Sequence, residues 1–314
     1  MIFFCHENQW SRFSLLDCGR IRSGSKCDLI QCMDKLVGTK ESSNASVVVL
    51  DYALCVQMLK PQFCKNSMEY SEKIFLPYIK QSIENVQKLD LVWDEYIPNN
   101  LKASTRQKRG TGARRRVLPS MVPRNWQEFF RLDDTKKELF LFLSEQVMKM
   151  AIDGKQIIVT KGEEVLCFPP ETRRNALSPC SHEEADTRTM VHTADAVQDG
   201  HQSVMIRSTD TDMVVLAVAA VATLEDLKEL WVSYGTGKNH QILLANLFAK
   251  ALGLTKSKCV PIFHALTVQH NIFLRWVWKK NSLGQFERTF HMLLVRFSSC
   301  QGPPIIFLTT ICAP

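Results

Sequence analysis

The 314-residue chain is 45% hydrophobic and 23% charged, an ordinary globular composition that excludes disorder throughout and gives one or two domains with a sizeable core. No apolar run reaches the roughly eighteen residues of a membrane span and the N-terminus lacks a secretory leader pattern, so no membrane partner is expected. The net charge of +7 is concentrated: the segment KASTRQKRGTGARRR carries Lys102, Arg106, Lys108, Arg109, Arg114, Arg115 and Arg116 and no acid, and accounts for the whole formal excess.

Eleven cysteines without a CxxC pair, and histidines away from zinc-ligand spacing, point to reduced thiols inside the cell. The basic segment weights this toward the nucleus rather than the cytoplasm, since such runs serve as import signals or solvated loops as well as phosphate contacts.

The first forty-five residues show no sustained periodicity and read as an N-terminal extension. Regular structure begins at SVVVL (46–50), a β-branched run suited to a buried parallel strand, which ends in Asp51 and is followed by the helical spacing of YALCVQML. A helical stretch over 72–88 then leads into LDLVW (89–93), ending in Asp94. Beyond the basic segment, 134–150 reads as an amphipathic helix and KQIIVT (155–160) as a strand.

Ser181 and Glu184 have the spacing of a capping box for a helix running through TRTMVHTADAV. SVMIR (203–207) reads as a strand, STDTD follows it, MVVLAVAAVA reads as an apolar helix, and LWVSY (230–234) as a further strand. Strands alternating with helices predict an α/β domain, its sheet mostly parallel and covered on both faces.

In such sheets ligands bind outside the carboxyl ends of the strands. Asp51, Asp94, Asp210 and Asp212 all fall at that edge, and Glu184 and Asp186 open a helix directed there. Carboxylates converging from several strand ends repel unless a cation lies between them, and hard oxygen donors select Mg2+ or Mn2+. Ions so held suit phosphodiester hydrolysis, with the basic segment on the nucleic-acid backbone. Each acid taken alone has a plainer role: Glu184 as a capping residue or an i,i+4 partner of Arg188, and Asp210 as the N-cap of the next helix.

The order VVVLD, VWD, LK and KR, EAD, DTD resembles the PIN-like nuclease fold of the flap endonuclease superfamily. Position by position, the resemblance implies metal-binding and catalytic roles for Asp51, Asp94, Glu184, Asp186, Asp210 and Asp212, and a phosphate-steering role for Lys102 and Arg109. HENQ (6–9), LKASTRQKRGTG (101–112), CSHEEADTR (180–188), DTDMVVLA (210–217) and FHALT (263–267) are similar to the recurring strings of a multi-copy, uncharacterised animal PIN-like family. The likeness covers roughly residues 1–267 and implies a PIN-like domain over 46–267, with a portion of the family missing upstream.

After FHALT that family continues with GCDT and later GKKTAW, where this chain has VQHNIFLRWVWKKNSLG (268–284). Codons read one base later would restore a string close to the family's, so 268–314 is expected to be an aberrant, frameshifted tail. The family's GCDT aspartate is lost with it. The expectation is therefore a metal-dependent nuclease acting on DNA or RNA, impaired by that loss. The alternative is a non-catalytic nucleic-acid-binding remnant or a degenerate gene copy.

Overall fold

The structure, a computed structural model, describes residues 16–17, 20–21, 44–95, 117, 125–150, 152–170, 176–182, 184–235, 237 and 240–269. The basic side chains Lys102, Arg106, Lys108, Arg109, Arg114, Arg115 and Arg116 lie outside the described residues, as do nearly all of the N-terminal extension and of the tail. Two compact units divide the chain, Met1–Gly38 with Phe248–Ala313, and Thr39–Leu247. In the first, β1 (Leu16–Asp17) and β2 (Arg20–Ile21) form a short antiparallel pair.

The second unit begins with β3 (Val47–Asp51), which runs directly into α1 (Tyr52–Met58). α2 (Ser67–Tyr70) continues through a π-helical turn (Ser71–Phe75) into α3 (Leu76–Ile83), and β4 (Lys88–Val92) follows. α4 (Trp126–Phe129) and α5 (Asp133–Met148) lead to β5 (Gln156–Lys161), which folds back as β6 (Glu164–Phe168). Then come α6 (Ala185–Gln198), β7 (Ser203–Ser208), α7 (Thr211–Val221), β8 (Glu229–Tyr234) and β9 (Gln241–Leu244). α8 (Ala245–Leu252) runs across the division between the units, and α9 (Leu254–Gln269) belongs to the first.

The seven-stranded sheet has the order β6-β5-β4-β3-β7-β8-β9, with the five inner strands parallel and both outer strands antiparallel to their neighbours. The expected α/β class with a mostly parallel sheet is thus observed. Register explains the layers. Val48 pairs with Leu89 and Leu89 with Ile157, while Leu50, Leu91 and Val159 form the next row, so one face presents a continuous apolar surface. Ile79 of α3 and Leu139 and Leu143 of α5 close over it in one core. On the other face α6 and α7 cover the sheet, and α7 is apolar almost all round, as a helix buried between layers must be.

From β3 the chain winds outward in one direction through β4 to β5, and from β7 it winds in the other through β8. β3 and β7 are neighbours, with Val47 paired to Val204. The connections therefore part on opposite faces between them and leave a crevice at their carboxyl ends, where open α/β sheets bind ligands.

Two features differ from the sequence expectation. The capping box does not form: α6 starts at Ala185, Glu184 is its N-cap without a side-chain hydrogen bond, and a carboxylate from another strand takes the helix's first amide. The β5–β6 hairpin, with Lys161 opposite Glu164, turns through Gly162 at φ 62°, a conformation that favours glycine.

Candidate functional site

Three helices begin at the carboxyl edge of the sheet, and each start is held by one of the expected acids. Asp51 ends β3 and caps α1, its Oδ1 accepting from the Leu54 amide at 3.3 Å. Asp94 stands two residues beyond β4, and its Oδ1 accepts from the Ala185 amide at 2.8 Å, the first residue of α6. Asp210 caps α7 through an Oδ1 that accepts from the Asp212 amide at 3.1 Å. The plainer capping reading of Asp210 is therefore correct, and the same job falls to Asp51 and Asp94.

Capping does not exhaust what these side chains do to one another. Asp186, in the first turn of α6, has its carboxyl pushed up to about 7, first by burial and then by the charges of Asp210, Asp51, Asp94 and Asp212. Asp51 is also pushed up to about 7, again by burial first, then by Asp94, with Asp210 adding to it. Hydrogen bonds from the Leu54 and Ala53 amides pull Asp51 the other way and are outweighed. Five aspartates from the ends of β3, β4 and β7 and the starts of α6 and α7 thus share one electrostatic environment. Asp210 is exposed and the other four are half-buried, so the cluster opens to solvent. Glu184 has extended backbone as the N-cap of α6 and is half-buried, one residue before the helix. Because it is not helical, the wide angular separation expected for two acids two apart on a helix does not apply to Glu184 and Asp186.

Aromatic neighbours fix two of the acids. Tyr52, after Asp51, and Trp93, before Asp94, have ring centroids 3.9 Å apart, and Trp93 stacks on Phe140 of α5 at 3.8 Å. The Trp93 amide donates to Thr160 Oγ1 and its indole nitrogen to Ser144 Oγ, both at 2.8 Å. The strand ends that carry Asp51 and Asp94 are therefore anchored on three sides.

No protein-family model, curated protein or solved structure matches this chain.

The chemistry of the donors suits a hard divalent cation, since two carboxyls held near neutrality by burial and then by neighbouring charges would ionise beside one. Among the described residues, no group of three or more His, Cys, Asp or Glu side chains is arranged to hold a metal ion. Asp51, Asp94 and Asp210 each direct one oxygen at a helix amide.

Sequence reasoning missed the polar seam beneath the cluster. Lys88, wholly buried on β4, donates to Asp195 Oδ2 at 2.8 Å and Asp199 Oδ2 at 3.2 Å of α6 and its end. Burial alone would draw its ammonium down, but Asp90 and Asp195 outweigh that and hold it above the ordinary lysine value. Asp90, also wholly buried, meets His192 Nδ1 at 2.8 Å. Arg188 is 1% exposed and donates to the Trp93 carbonyl at 3.4 Å and the Gly162 carbonyl at 2.7 Å. Its expected side-chain pairing with Glu184 does not occur; only its backbone amide reaches the Glu184 carbonyl, at 3.2 Å. The signal was present in the sequence: KLDLV alternates charge and leucine, and Arg188, His192, Asp195 and Asp199 recur at helical spacing.

Burial and then the Arg188 charge lower His182, and His192 is committed to Asp90. Cys55, Cys64, Cys180 and Cys259 are free thiols. No helix among the described residues is long and apolar enough to cross a membrane.

Proposed function

We propose that this chain is a PIN-like domain of the flap endonuclease type, built for metal-dependent hydrolysis of phosphodiester bonds in nucleic acid. One observation carries the reading: Asp51, Asp94, Asp186, Asp210 and Asp212 share one environment at the carboxyl ends of the central strands, where burial first and then their mutual charge push Asp51 and Asp186 up to about 7. Clustering acids this way destabilises the empty fold, which is a reason to expect a cation as their partner. Asp186 would hold Mg2+ or Mn2+, with Asp51, Asp94, Asp210, Asp212 and Glu184 completing the oxygen donors. A cation bound there would supply a Lewis acid for the phosphate and lower the pKa of bound water.

The chain's own residues do the rest. Asp51 and Asp186, near neutrality in the empty site, would give up their protons as a cation binds and then serve it as oxygen donors. Lys102 and Arg109 would steer the scissile phosphate, with Arg106, Lys108, Arg114, Arg115 and Arg116 along the DNA or RNA backbone. Nuclear residence accords with that basic segment. The aberrant tail, which lacks the aspartate of GCDT, would lower the rate rather than change the chemistry.

One finding favours a second reading, the non-catalytic binding remnant: among the described residues no three acids are arranged to hold an ion, and three of them cap helices. Calorimetric titration of the full chain with Mn2+, beside Asp210→Asn and Asp186→Asn, separates the two. Binding lost in both variants, with metal-dependent cleavage lost in Asp210→Asn, supports the nuclease. Salt-sensitive nucleic-acid binding indifferent to Mn2+ in a folded wild type would leave the remnant.

A further inference from the structure

α6 carries Asp186 at one end, and what fixes its position along β4 is polar instead of apolar. Four contacts lie in sequence order along the two elements: Asp94 to the Ala185 amide, the Trp93 carbonyl to Arg188, Asp90 to His192, and Lys88 to Asp195 and Asp199. Apolar side chains tolerate sliding, whereas paired buried charges hold in one register only. A shift of one helical turn, about 5.4 Å, would break all four.

Arg188 is the member of this seam nearest the acids. Its guanidinium is buried, and among the described residues it meets no carboxylate within ion-pair distance. Two of its nitrogens instead donate to the carbonyl next to Asp94 and to the carbonyl of the hairpin glycine, and among the described residues Nε has no partner. A buried cation held only by backbone oxygens is an expensive way to stabilise a fold, since a methionine or leucine of similar length avoids the desolvation. What the fork provides is geometry: two planar donors bridge the β4 end, the β5–β6 turn and the first turn of α6.

We infer that Arg188 is a positioning residue that holds the end of β4 and the start of α6 at the separation where Asp94 and Asp186 serve one cation. The inference rests on the proposed metal site for its purpose, and on the Asp94 to Ala185 contact for its geometry. Asp94 caps the helix that Arg188 clamps, so loosening the clamp releases the cap.

The test uses the full chain and four proteins: wild type, Arg188→Met, Arg188→Lys and Ile79→Ala. Ile79, wholly buried on the opposite face, serves as the destabilised control. The first readout is the Mn2+ dissociation constant, which should weaken roughly tenfold or more in Arg188→Met, less in Arg188→Lys, and stay at the wild-type value in Ile79→Ala. The second is hydrogen exchange at the Ala185 amide, which should accelerate in Arg188→Met beyond the general acceleration seen in Ile79→Ala. Wild-type Mn2+ affinity in Arg188→Met would overturn the positioning role while leaving the metal site standing. If the wild type binds no Mn2+, the metal reading fails, and unchanged Ala185 exchange in Arg188→Met would overturn the inference as well. If Arg188→Met does not fold, Arg188→Lys decides, because a compact ammonium lacks the planar two-nitrogen fork and must show the same two effects in smaller measure.

Discussion

Replacing Asp186 by asparagine should stabilise the protein, and the gain should depend on pH in a defined direction. The carboxyl titrates near 3.8 in the unfolded chain and is pushed up to about 7 in the fold. Below 3.8 both states are protonated and ionisation contributes nothing; between 3.8 and about 7 the unfolded state releases a proton that the fold retains, so stability falls as pH rises. An isolated group shifted this far would lose about 4 kcal/mol by neutral pH. Asp51 senses the same neighbours and water screens a half-buried site, so the penalty recovered by one substitution is about 1–2 kcal/mol. For a domain of this size that is a rise of roughly 2–8 °C in Tm. Thermal melts followed by circular dichroism at about pH 4 and about pH 8, in low salt with chelator, would read the difference between variant and wild type. It should grow from its pH 4 value by that amount. Mn2+ at pH 8 should raise the wild-type Tm and raise the variant's less. A difference that stays constant between the two pH values would refute the crowding of these carboxylates.

Lys88→Met leaves Asp195 and Asp90 buried without their cation and should destabilise the fold by about 3–5 kcal/mol in urea unfolding; a loss under about 1 kcal/mol would show the seam to be a minor contributor. Substituting Arg114, Arg115 and Arg116 with glutamine should reduce the salt slope of duplex binding by about 0.9 for each phosphate no longer neutralised, and an unchanged slope would move the nucleic-acid interface elsewhere. The Cys55 thiol is pushed up to about 12 by burial and stays protonated through pH 8. Folded protein should therefore label at Cys55 with a maleimide only on unfolding, and prompt labelling read by mass spectrometry would contradict the packing around α1.

The central strands are legible because their composition leaves little choice. Val47 to Leu50 is buried on both faces, so an unbroken β-branched run is what that position requires, and the acid that ends it is the first residue free to face water. β6 and β9 are not legible, since an edge strand of four or five residues satisfies one neighbour only and carries too short a pattern. The turn at Gly162-Glu163 is the available signal for β6. The acids stand out by their positions at strand ends, but spacing does not reveal whether a carboxylate points at a cation or at an amide, and three of them cap helices. The seam is hidden for a different reason. A charged residue on a central strand is rare, so the alternation in KLDLV reads as a solvent-facing pattern until its partners on α6 are in view.

The acid cluster is assembled from both ends of the domain's sequence. β3 pairs with β7, joining Val47 to Val204, and Asp94 meets Ala185 across 91 positions of chain. A nascent chain that has emerged as far as α5 holds Asp51 and Asp94 only, on two strands whose other neighbour does not yet exist. Contacts this remote form late, after the loop-closure entropy has been met by the local hairpins and helices. The crowding of charge is thus completed only when α6 and β7 join the strands that carry Asp51 and Asp94. Two separately expressed pieces, divided between β6 and α6, would each hold part of the repulsion, Asp51 with Asp94 in one and Asp186 with Asp210 in the other, and would complete it only on joining.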